Sequence, residues 1–287
     1  MIVDLVQTMT RDGVRLDGAF QRAERAASTP NIDACCLVHG TGSNFYGSTL
    51  LAELGQRLLS LGVSVLRVNT RGHDGISIAA TARGGQRLGA AYERVADCRH
   101  DLAAWSSWLV QHAGPRLGWI GHSLGAVKCL YALVHEADLP ASGVVALSPP
   151  RLSYAWFCQS EKRAVFLDDY NRALSLVQAG EPVVPLEVSF PLPMIITAVG
   201  YTEKYGPDES YNYLSWTERL ACPALFLFGS QEVENQVPFQ HAPQAIAALA
   251  ERNQRLHVET IAGGDHFYTG VREPALERIT TWLRQVI

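Results

Sequence analysis

The sequence predicts an α/β fold, in which one sheet carries helices on its faces. Short apolar runs typical of buried strands alternate with longer segments that have the apolar spacing of helices. This alternation extends through most of the 287 residues and breaks between Pro149 and Cys222, where several prolines interrupt it. Apolar residues make up 47% of the chain and charged residues 18%, as in globular rather than disordered proteins.

The first predicted elements are three strands, of which the third is buried, and one helix. Segments Ile2–Met9 and Arg15–Arg22 flank Thr10-Arg11-Asp12-Gly13, which predicts an antiparallel pair of strands joined by a turn. The apolar run Ala34–Val38 is typical of a strand that is buried on both faces. Four leucines within Gly47–Ser60 have the spacing of one helix face.

The alternation then continues beyond a glycine-rich stretch, Arg71–Gly89, which we interpret as a loop. The predicted strands are Ser64–Asn69, Leu117–Gly121, Gly143–Ser148, Ala224–Phe228 and Arg255–Ile261. The predicted helices are Val95–His112, Ser123–His135, Pro243–Arg252 and Glu273–Ile287. We interpret 151–221 as an insertion into a single domain that consists of residues 1–150 and 222–287.

Charge and hydropathy exclude several classes of partner. The formal net charge is −4, so we expect no nucleic acid as a partner. No run approaches the roughly 20 apolar residues that cross a bilayer, so we expect no membrane span. The segment Met1–Arg15 has no basic beginning and carries Asp4 inside its only apolar run. We therefore expect no secretory signal and a cytoplasmic protein.

The six cysteines predict neither a disulfide framework nor a metal site. They form no CxxC pair and have no zinc-like spacing, so we expect buried free thiols in a reducing compartment. Cys35 and Cys36 are neighbours in a predicted strand and should point to opposite faces of the sheet. Asp97 and Asp101 lie one helical turn apart, where an exposed helix face or a structural ion pair is expected. We expect neither a metal nor another cofactor.

The motif that carries chemistry is Gly121-His122-Ser123-Leu124-Gly125, between an apolar strand and a predicted helix. A serine at such a sharp turn is held in a strained backbone with its hydroxyl exposed. The beginning of the helix supplies backbone N–H groups where an oxyanion would form. The alternative is an ordinary turn in which Ser123 caps the helix.

This strand, serine and helix resemble the α/β-hydrolase superfamily, over nearly the whole chain outside the insertion. The resemblance implies a mostly parallel eight-stranded sheet with helices on both faces. It also implies a cap inserted after the sixth strand, which corresponds to residues 151–221, and the triad order nucleophile, acid, histidine. Ser123 is then the nucleophile of a carboxylic ester hydrolase that works without a cofactor.

The resemblance assigns the base to His266 in Gly263-Gly264-Asp265-His266-Phe267, the loop between the last predicted strand and helix. Imidazole suits this role because its ordinary pKa near 6.5 lets it take and return a proton at neutral pH. The alternative is a surface histidine without a catalytic role.

The acid of the triad has three candidates. The superfamily often has G-x-x-D after the strand before last, and here Gly229-Ser230-Gln231-Glu232 places Glu232 at that position. A glutamate is one methylene longer than aspartate but can also orient an imidazole. Glu234 competes because it precedes Pro238 by four residues, and Asp265 competes because it adjoins His266.

Two backbone N–H groups should form the oxyanion hole. By resemblance they belong to Leu124 and to Thr41, with Gly42 as the alternative to Thr41. Gly40 would let substrate approach the backbone, and His122, Tyr154 and Trp156 are further candidates for substrate binding.

The superfamily often has an R-G-x-G turn where this chain has Arg71-Gly72-His73-Asp74-Gly75. We interpret that turn as packing, with a substrate contact from His73 or Asp74 as the alternative.

The insertion holds 11 of the chain's 25 aromatic residues. An aromatic cap would favour a small-molecule ester with an apolar or aromatic part; the alternative is that these rings pack the cap onto the sheet.

The same triad could instead cleave a lactone, thioester, amide or carbon–carbon bond, or transfer an acyl group. A different class of function is a catalytically silent receptor on the same fold. We expect a monomer or a homodimer.

Overall fold

The computed structural model describes residues 3–24, 30–82 and 84–286. The strands are β1 (Asp4–Met9), β2 (Arg15–Gln21), β3 (Ala34–Val38), β4 (Ser64–Val68), β5 (Ser77–Thr81), β6 (Gly84–Leu88), β7 (Leu117–His122), β8 (Gly143–Leu147), β9 (Pro185–Val188), β10 (Met194–Thr197), β11 (Ala224–Gly229) and β12 (Leu256–Ile261). The helices are α1 (Thr49–Ser60), α2 (Cys98–His112), α3 (Leu124–His135), α4 (Tyr154–Gln159), α5 (Arg163–Gln178), α6 (Ala198–Tyr205), α7 (Ser230–Asn235), α8 (Ala242–Ala250) and α9 (Arg272–Val286). Short 3₁₀ turns lie at Val95–Asp97, Tyr213–Ser215 and Thr217–Arg219.

Eight strands of the described residues form the main sheet, in the spatial order β1-β2-β4-β3-β7-β8-β11-β12. The strand β2 pairs antiparallel with both β1 and β4, and the remaining pairs are parallel. The predicted α/β fold with a mostly parallel eight-stranded sheet is therefore confirmed. The predicted first strand began at Ile2, which lies outside the described residues, as does the predicted helix end at Ile287.

Two apolar cores fill the two faces of this sheet. Cys36 belongs to the core beneath α2 and α3, whereas Cys35 belongs to the core beneath α1 and α9. Both thiols are fully buried, because successive side chains of β3 point to opposite faces and helices cover each face. The prediction that these neighbours face apart is confirmed, and the helices lie on both faces.

The glycine-rich stretch differs from the prediction of a loop. It contains the antiparallel hairpin β5–β6, which is separate from the main sheet. Most of its side chains are small or exposed, so the sequence lacks the apolar alternation that marks a strand. The turn before it is held by Arg71, whose guanidinium lies 2.9 Å from the buried carboxylate of Asp101. Asp101 thus has the predicted structural ion pair.

The segment 151–221 folds into α4, α5 and α6 with the hairpin β9–β10. Its rings pack on one another; Phe157, for example, contacts Phe166 and Phe190 at centroid distances of 5.2 and 5.0 Å. The backbone N–H of Thr197 donates at 2.9 Å to the carbonyl of Ala91, which belongs to the main body, that is, the described residues outside 151–221. Within the described residues, no helix combines the length and the apolar character that crossing a bilayer requires.

Candidate active site

Ser123 occupies the turn between β7 and α3 with φ of 57° and ψ of −127°. A non-glycine residue in this region of backbone space is strained and persists where its surroundings fix it. The surroundings leave no room for side chains at the two flanking glycines. A Cβ at Gly121 would lie 2.3 Å from the carbonyl oxygen of Gly125, and one at Gly125 would lie 2.3 Å from that of Val38. The motif therefore has its glycines where β3, β7 and α3 meet.

His266 and Glu232 are in direct contact. The Nδ1 atom of His266 lies 2.7 Å from Oε2 of Glu232. Because a carboxylate accepts, Nδ1 carries the proton and Nε2 is left as the basic nitrogen. Glu232 is fully buried, and its Oε1 accepts hydrogen bonds from the backbone N–H of Gly229 at 2.8 Å and from the hydroxyl of Ser148 at 2.6 Å. Three donors thus converge on one carboxylate.

The other two acid candidates lie elsewhere. Glu234 is exposed on α7. The Oδ1 atom of Asp265 accepts from the backbone N–H groups of Phe267 and Thr269 at 2.9 and 2.8 Å, so this carboxylate closes its own loop. Burial would raise the pKa of Asp265, but these hydrogen bonds outweigh it and hold the pKa below its ordinary value. Of the three candidates, the structure brings Glu232 to His266.

Ser148 and Tyr268 support Glu232, and sequence reasoning missed both. Ser148 donates to Glu232, and its hydroxyl lies 3.0 Å from that of Tyr268. Tyr268 in turn donates to the carbonyl of Leu227 at 2.8 Å. A signal for Ser148 existed: it directly follows β8, which lies parallel to β11, and the carboxyl ends of parallel strands meet at one edge of the sheet.

The loop after β3 passes directly over Ser123. A Cβ at Gly40 would lie 2.9 Å from the Cβ of Ser123, so this position requires glycine. Thr41 and Gly42 line a cavity together with Ser123 and Leu124. The beginning of the loop is fixed by His39, whose Nδ1 donates to the carbonyl of Gly40 at 2.8 Å.

The His39 ring is buried, and its Nε2 accepts from the backbone N–H of Thr70 at 3.3 Å. Burial lowers the pKa of His39 to about 4, with a smaller contribution from the nearby ammonium group of Lys128. The imidazole is therefore neutral at neutral pH, and it uses one nitrogen as donor and the other as acceptor.

His122 lies inside the serine motif and lines the same cavity. Its Nε2 donates to the backbone carbonyl of His266 at 2.8 Å, and the two ring centroids are 4.8 Å apart. Burial lowers the pKa of His122 to about 3, and the neighbouring His266 contributes to this lowering. A neutral His122 thus ties the loop that carries His266 to the turn that carries Ser123.

The cavity has a volume of about 660 Å³ and contains Ser123, His266, Thr41 and Leu124 in its wall. Its apolar wall consists of Leu50, Pro150, Leu152, Pro191, Leu192, Tyr205, Pro238, Phe239 and Phe267. Its polar wall includes Ser43, Asn44, Ser48, Thr49 and Gln236. Among the described residues, no aspartate, glutamate, lysine or arginine lines it. The described wall of the cavity therefore contains no acidic side chain and neither lysine nor arginine.

Tyr154 and Trp156, two of the residues expected to bind substrate, do not line this cavity. The ring of Tyr154 packs edge-on against Phe166 and Tyr170 at 5.4 and 5.1 Å. Trp156 donates its indole N–H to the carbonyl of Val237 at 2.8 Å. Packing within the segment 151–221 and against its neighbours occupies both rings. The residues of this segment that line the cavity are instead Leu152, Pro191, Leu192 and Tyr205.

In the described part of the chain, no group of three or more histidine, cysteine, aspartate or glutamate side chains is placed to hold a metal ion.

Comparison with known proteins identifies the family. A model of the alpha/beta hydrolase family matches residues 37–279, which is most of the chain. The chain belongs to the alpha/beta hydrolase family. No curated protein sequence matches it.

Solved structures of similar fold cover nearly all of this alpha/beta hydrolase at low sequence identity. Est1E from Butyrivibrio proteoclasticus, solved with ferulic acid bound, is 16% identical, with a TM-score of 0.67 over 98% of this chain and 99% of its own. The alpha/beta hydrolase GrgF from Penicillium sp. sh18 is 15% identical, with a TM-score of 0.69 over 100% and 99%. A monoacylglycerol lipase from Paleococcus ferrophilus is 20% identical, with a TM-score of 0.66 over 95% and 99%. At these identities the likeness supports the fold.

Proposed function

We propose that the protein is a serine hydrolase that cleaves a carboxylic ester through an acyl-enzyme. The observation that carries this proposal is the contact of 2.7 Å between His266 and the buried Glu232, beside a cavity that Ser123 also lines. The likeness in fold to the monoacylglycerol lipase adds support. Residues 151–221 serve in this proposal as a cap, which supplies Leu152, Pro191, Leu192 and Tyr205 to the cavity.

In the proposed first step, the Ser123 hydroxyl attacks the acyl carbon while Nε2 of His266 takes its proton. Glu232 holds the ring through Nδ1 and stabilises the imidazolium that forms. The backbone N–H groups of Leu124 and Thr41 stabilise the oxyanion. The alcohol leaves with the proton of His266, and water then releases the acid by the reverse sequence of proton transfers.

The experiment is hydrolysis of p-nitrophenyl esters from acetyl to lauroyl by the parent and by Ser123→Ala. We expect turnover by the parent and a loss of at least about 10³-fold in Ser123→Ala. Ser107→Ala, on the exposed face of α2, is the matched control and should retain full activity. Equal turnover by Ser123→Ala and the parent would refute the proposal. An inactive parent in which a fluorophosphonate still labels Ser123 would indicate a bond other than a simple ester.

We further propose that the substrate is uncharged and has an apolar part. An ionised group would leave water for a cavity without a charged partner, which is costly. We expect kcat/KM for mono-p-nitrophenyl adipate to be at least about 10-fold lower than for p-nitrophenyl hexanoate, which has the same acyl length. Comparable values for the two esters would contradict this choice of substrate.

A further inference from the structure

The turn after β4 holds an aspartate in a conformation that suits glycine. Asp74 has φ of 57°, in the left-handed region that non-glycine residues adopt rarely. Asp74 is partly exposed, so core packing does not account for its presence. Its contacts instead connect it to the neighbouring loop.

Both oxygens of the Asp74 carboxylate accept a hydrogen bond. Oδ1 accepts from the side-chain amide of Asn44 at 2.8 Å, and Oδ2 accepts from Nδ1 of His73 at 2.8 Å. The backbone N–H of Asp74 donates to the carbonyl of Ser43, also at 2.8 Å. Asp74 is therefore joined to residues 43 and 44 by one side-chain and one main-chain hydrogen bond.

Asn44 passes this attachment on to the rest of its loop. Its Oδ1 accepts from the backbone N–H groups of Gly47 and Tyr46, at 2.7 and 3.2 Å. Fixing the orientation of the Asn44 amide through its other end therefore also fixes the turn from residue 44 to residue 47. Ser43 and Asn44 line the cavity that contains Ser123.

The same loop begins with Gly40, Thr41 and Gly42, and Gly42 has φ of 66°. A segment rich in glycine has little rigidity of its own, so outside contacts must fix its backbone. On one side His39 holds Gly40, and on the other the contacts of Asp74 hold residues 43 and 44. The backbone N–H of Thr41 lies between these two attachments.

We propose that Asp74 is a positioning residue, which holds the loop 40–47 so that the N–H of Thr41 faces the oxyanion. This inference rests on the proposed hydrolase function. Burial would raise the pKa of the Asp74 carboxyl, but hydrogen bonds from Asn44 and His73 outweigh it and keep the pKa below its ordinary value. The group is thus an ionised acceptor at neutral pH.

The test compares Asp74→Gly with Asp74→Asn. Glycine removes the carboxylate and suits the backbone, so the thermal midpoint should not fall. Asparagine keeps an oxygen that can accept from Asn44 and tolerates a positive φ. We expect Asp74→Gly to lower kcat for p-nitrophenyl butyrate about 10- to 100-fold with KM changed less than about twofold. Affinity for an alkylboronic acid, which mimics the tetrahedral anion, should fall in parallel, and Asp74→Asn should recover most of both losses.

Asp138→Gly removes one exposed carboxylate from the turn after α3 and serves as the control that keeps parent activity. An unchanged kcat in Asp74→Gly, or a higher KM with kcat unchanged, would overturn the inference. So would an Asp74→Asn variant as impaired as Asp74→Gly.

Hydrogen exchange provides a measurement that does not depend on turnover. The backbone N–H groups of Phe45 and Gly47 are hydrogen-bonded to Asn69 and Asn44, and they should exchange faster in Asp74→Gly than in the parent. Unchanged exchange would show that Asp74 does not hold the loop. If the parent cleaves no ester, the proposed function fails, and the exchange measurement still decides whether Asp74 positions this segment.

Discussion

Glu232 is the residue around which the candidate site is organised. A buried carboxylate is costly unless its oxygens are satisfied, and here Gly229, Ser148 and His266 all donate to it. The same carboxylate that closes the turn into α7 through Gly229 therefore also orients the imidazole. Position and chemistry are fixed by one set of hydrogen bonds.

Replacing this carboxylate by an amide tests its role directly. Glu232→Gln keeps the shape but supplies one oxygen for three donors, so the imidazole loses its correct tautomer or orientation. We expect kcat on p-nitrophenyl butyrate to fall by about 10³- to 10⁴-fold. Glu234→Gln, two residues further on the exposed side of α7, is the control and should remain within about twofold of the parent. A Glu232→Gln variant with near-parent kcat would remove Glu232 from the mechanism.

The Gly121–Gly125 motif predicted Ser123, and the resemblance to the superfamily implied His266 and Glu232. It left Glu234 and Asp265 open because chain position does not determine where a side chain points. Their assignment required the tertiary structure, which exposes Glu234 and turns Asp265 toward its own loop. These three roles remain predictions until the variants are measured.

At the scale of elements, the contact between β3, β7 and α3 decides whether the serine turn forms. The backbone of α3 approaches that of β3 so closely at Gly125 that any side chain there would overlap main-chain atoms. Main-chain atoms cannot rotate away as a flexible side chain can. The geometry of the turn therefore depends on the absence of one methyl group.

We expect Gly125→Ala to destabilise the protein by about 3 kcal/mol or more, because the new Cβ overlaps the carbonyl of Val38. Gly75→Ala is the matched control, since a Cβ at this position would meet nothing within 4 Å beyond its chain neighbours and the φ of Gly75 is not positive. Urea unfolding followed by fluorescence measures both free energies of unfolding. A Gly125→Ala variant no less stable than Gly75→Ala would contradict this account of the motif.

Sequence patterns predicted the main sheet better than they predicted the hairpins β5–β6 and β9–β10 or the residues that line the cavity. Buried parallel strands are continuous apolar runs, whereas β5 and β6 have small or exposed residues and no comparable signal. Aromatic content likewise pointed to Tyr154 and Trp156, but large rings are also what a packed segment needs for its own core. Pro191 and Leu192, which reach the cavity, lie in the turn of a hairpin that no periodicity predicted.

At the scale of the whole molecule, a buried group of charges joins the segment 151–221 to the main body. The Glu93 carboxylate lies 2.6 Å from the ammonium of Lys128 on α3 and 3.7 Å from that of Lys204 on α6. All three side chains are at most 2% exposed. Burial would raise the pKa of Glu93, but the two lysines outweigh it and keep the pKa below its ordinary value.

Glu93→Gln should therefore cost more stability than an ordinary surface change. The substitution leaves two buried ammonium groups without this counter-charge, for which we expect a loss of about 3–5 kcal/mol in the free energy of unfolding at pH 7. Glu161→Gln, which changes an exposed glutamate of the same segment as Lys204, is the control and should stay within about 0.5 kcal/mol of the parent. A loss in Glu93→Gln as small as in the control would show that the three charges are not coupled.

The buried histidines predict how stability depends on pH. His39 and His122 have pKa values lowered to about 4 and about 3, whereas in the unfolded chain each is near 6.5. Between about pH 6.5 and its lowered pKa, each histidine binds a proton in the unfolded state but not in the folded state. The free energy of unfolding therefore falls as the pH decreases below about 6.5. Above about pH 6.5 these two groups add no pH dependence.

His122→Gln isolates one of the two contributions, since a glutamine amide can still donate to the carbonyl of His266. Between about pH 6 and 4, the free energy of unfolding of His122→Gln should fall less steeply than that of the parent. The difference between the two slopes should be about 1.4 kcal/mol per pH unit. His135→Gln alters an exposed histidine and should keep the parent slope. Parallel slopes for His122→Gln and the parent would mean that His122 is protonated equally in both states.

The distribution of thiols has a practical consequence for following motion in solution. All six cysteines lie in the described residues, five of them are buried, and the half-buried Cys158 lies on α4 within the segment 151–221. A maleimide dye added to the native protein should therefore attach at this one position without any engineered cysteine. Its emission would then report, in real time, how the segment beside the cavity responds when an ester or an inhibitor enters.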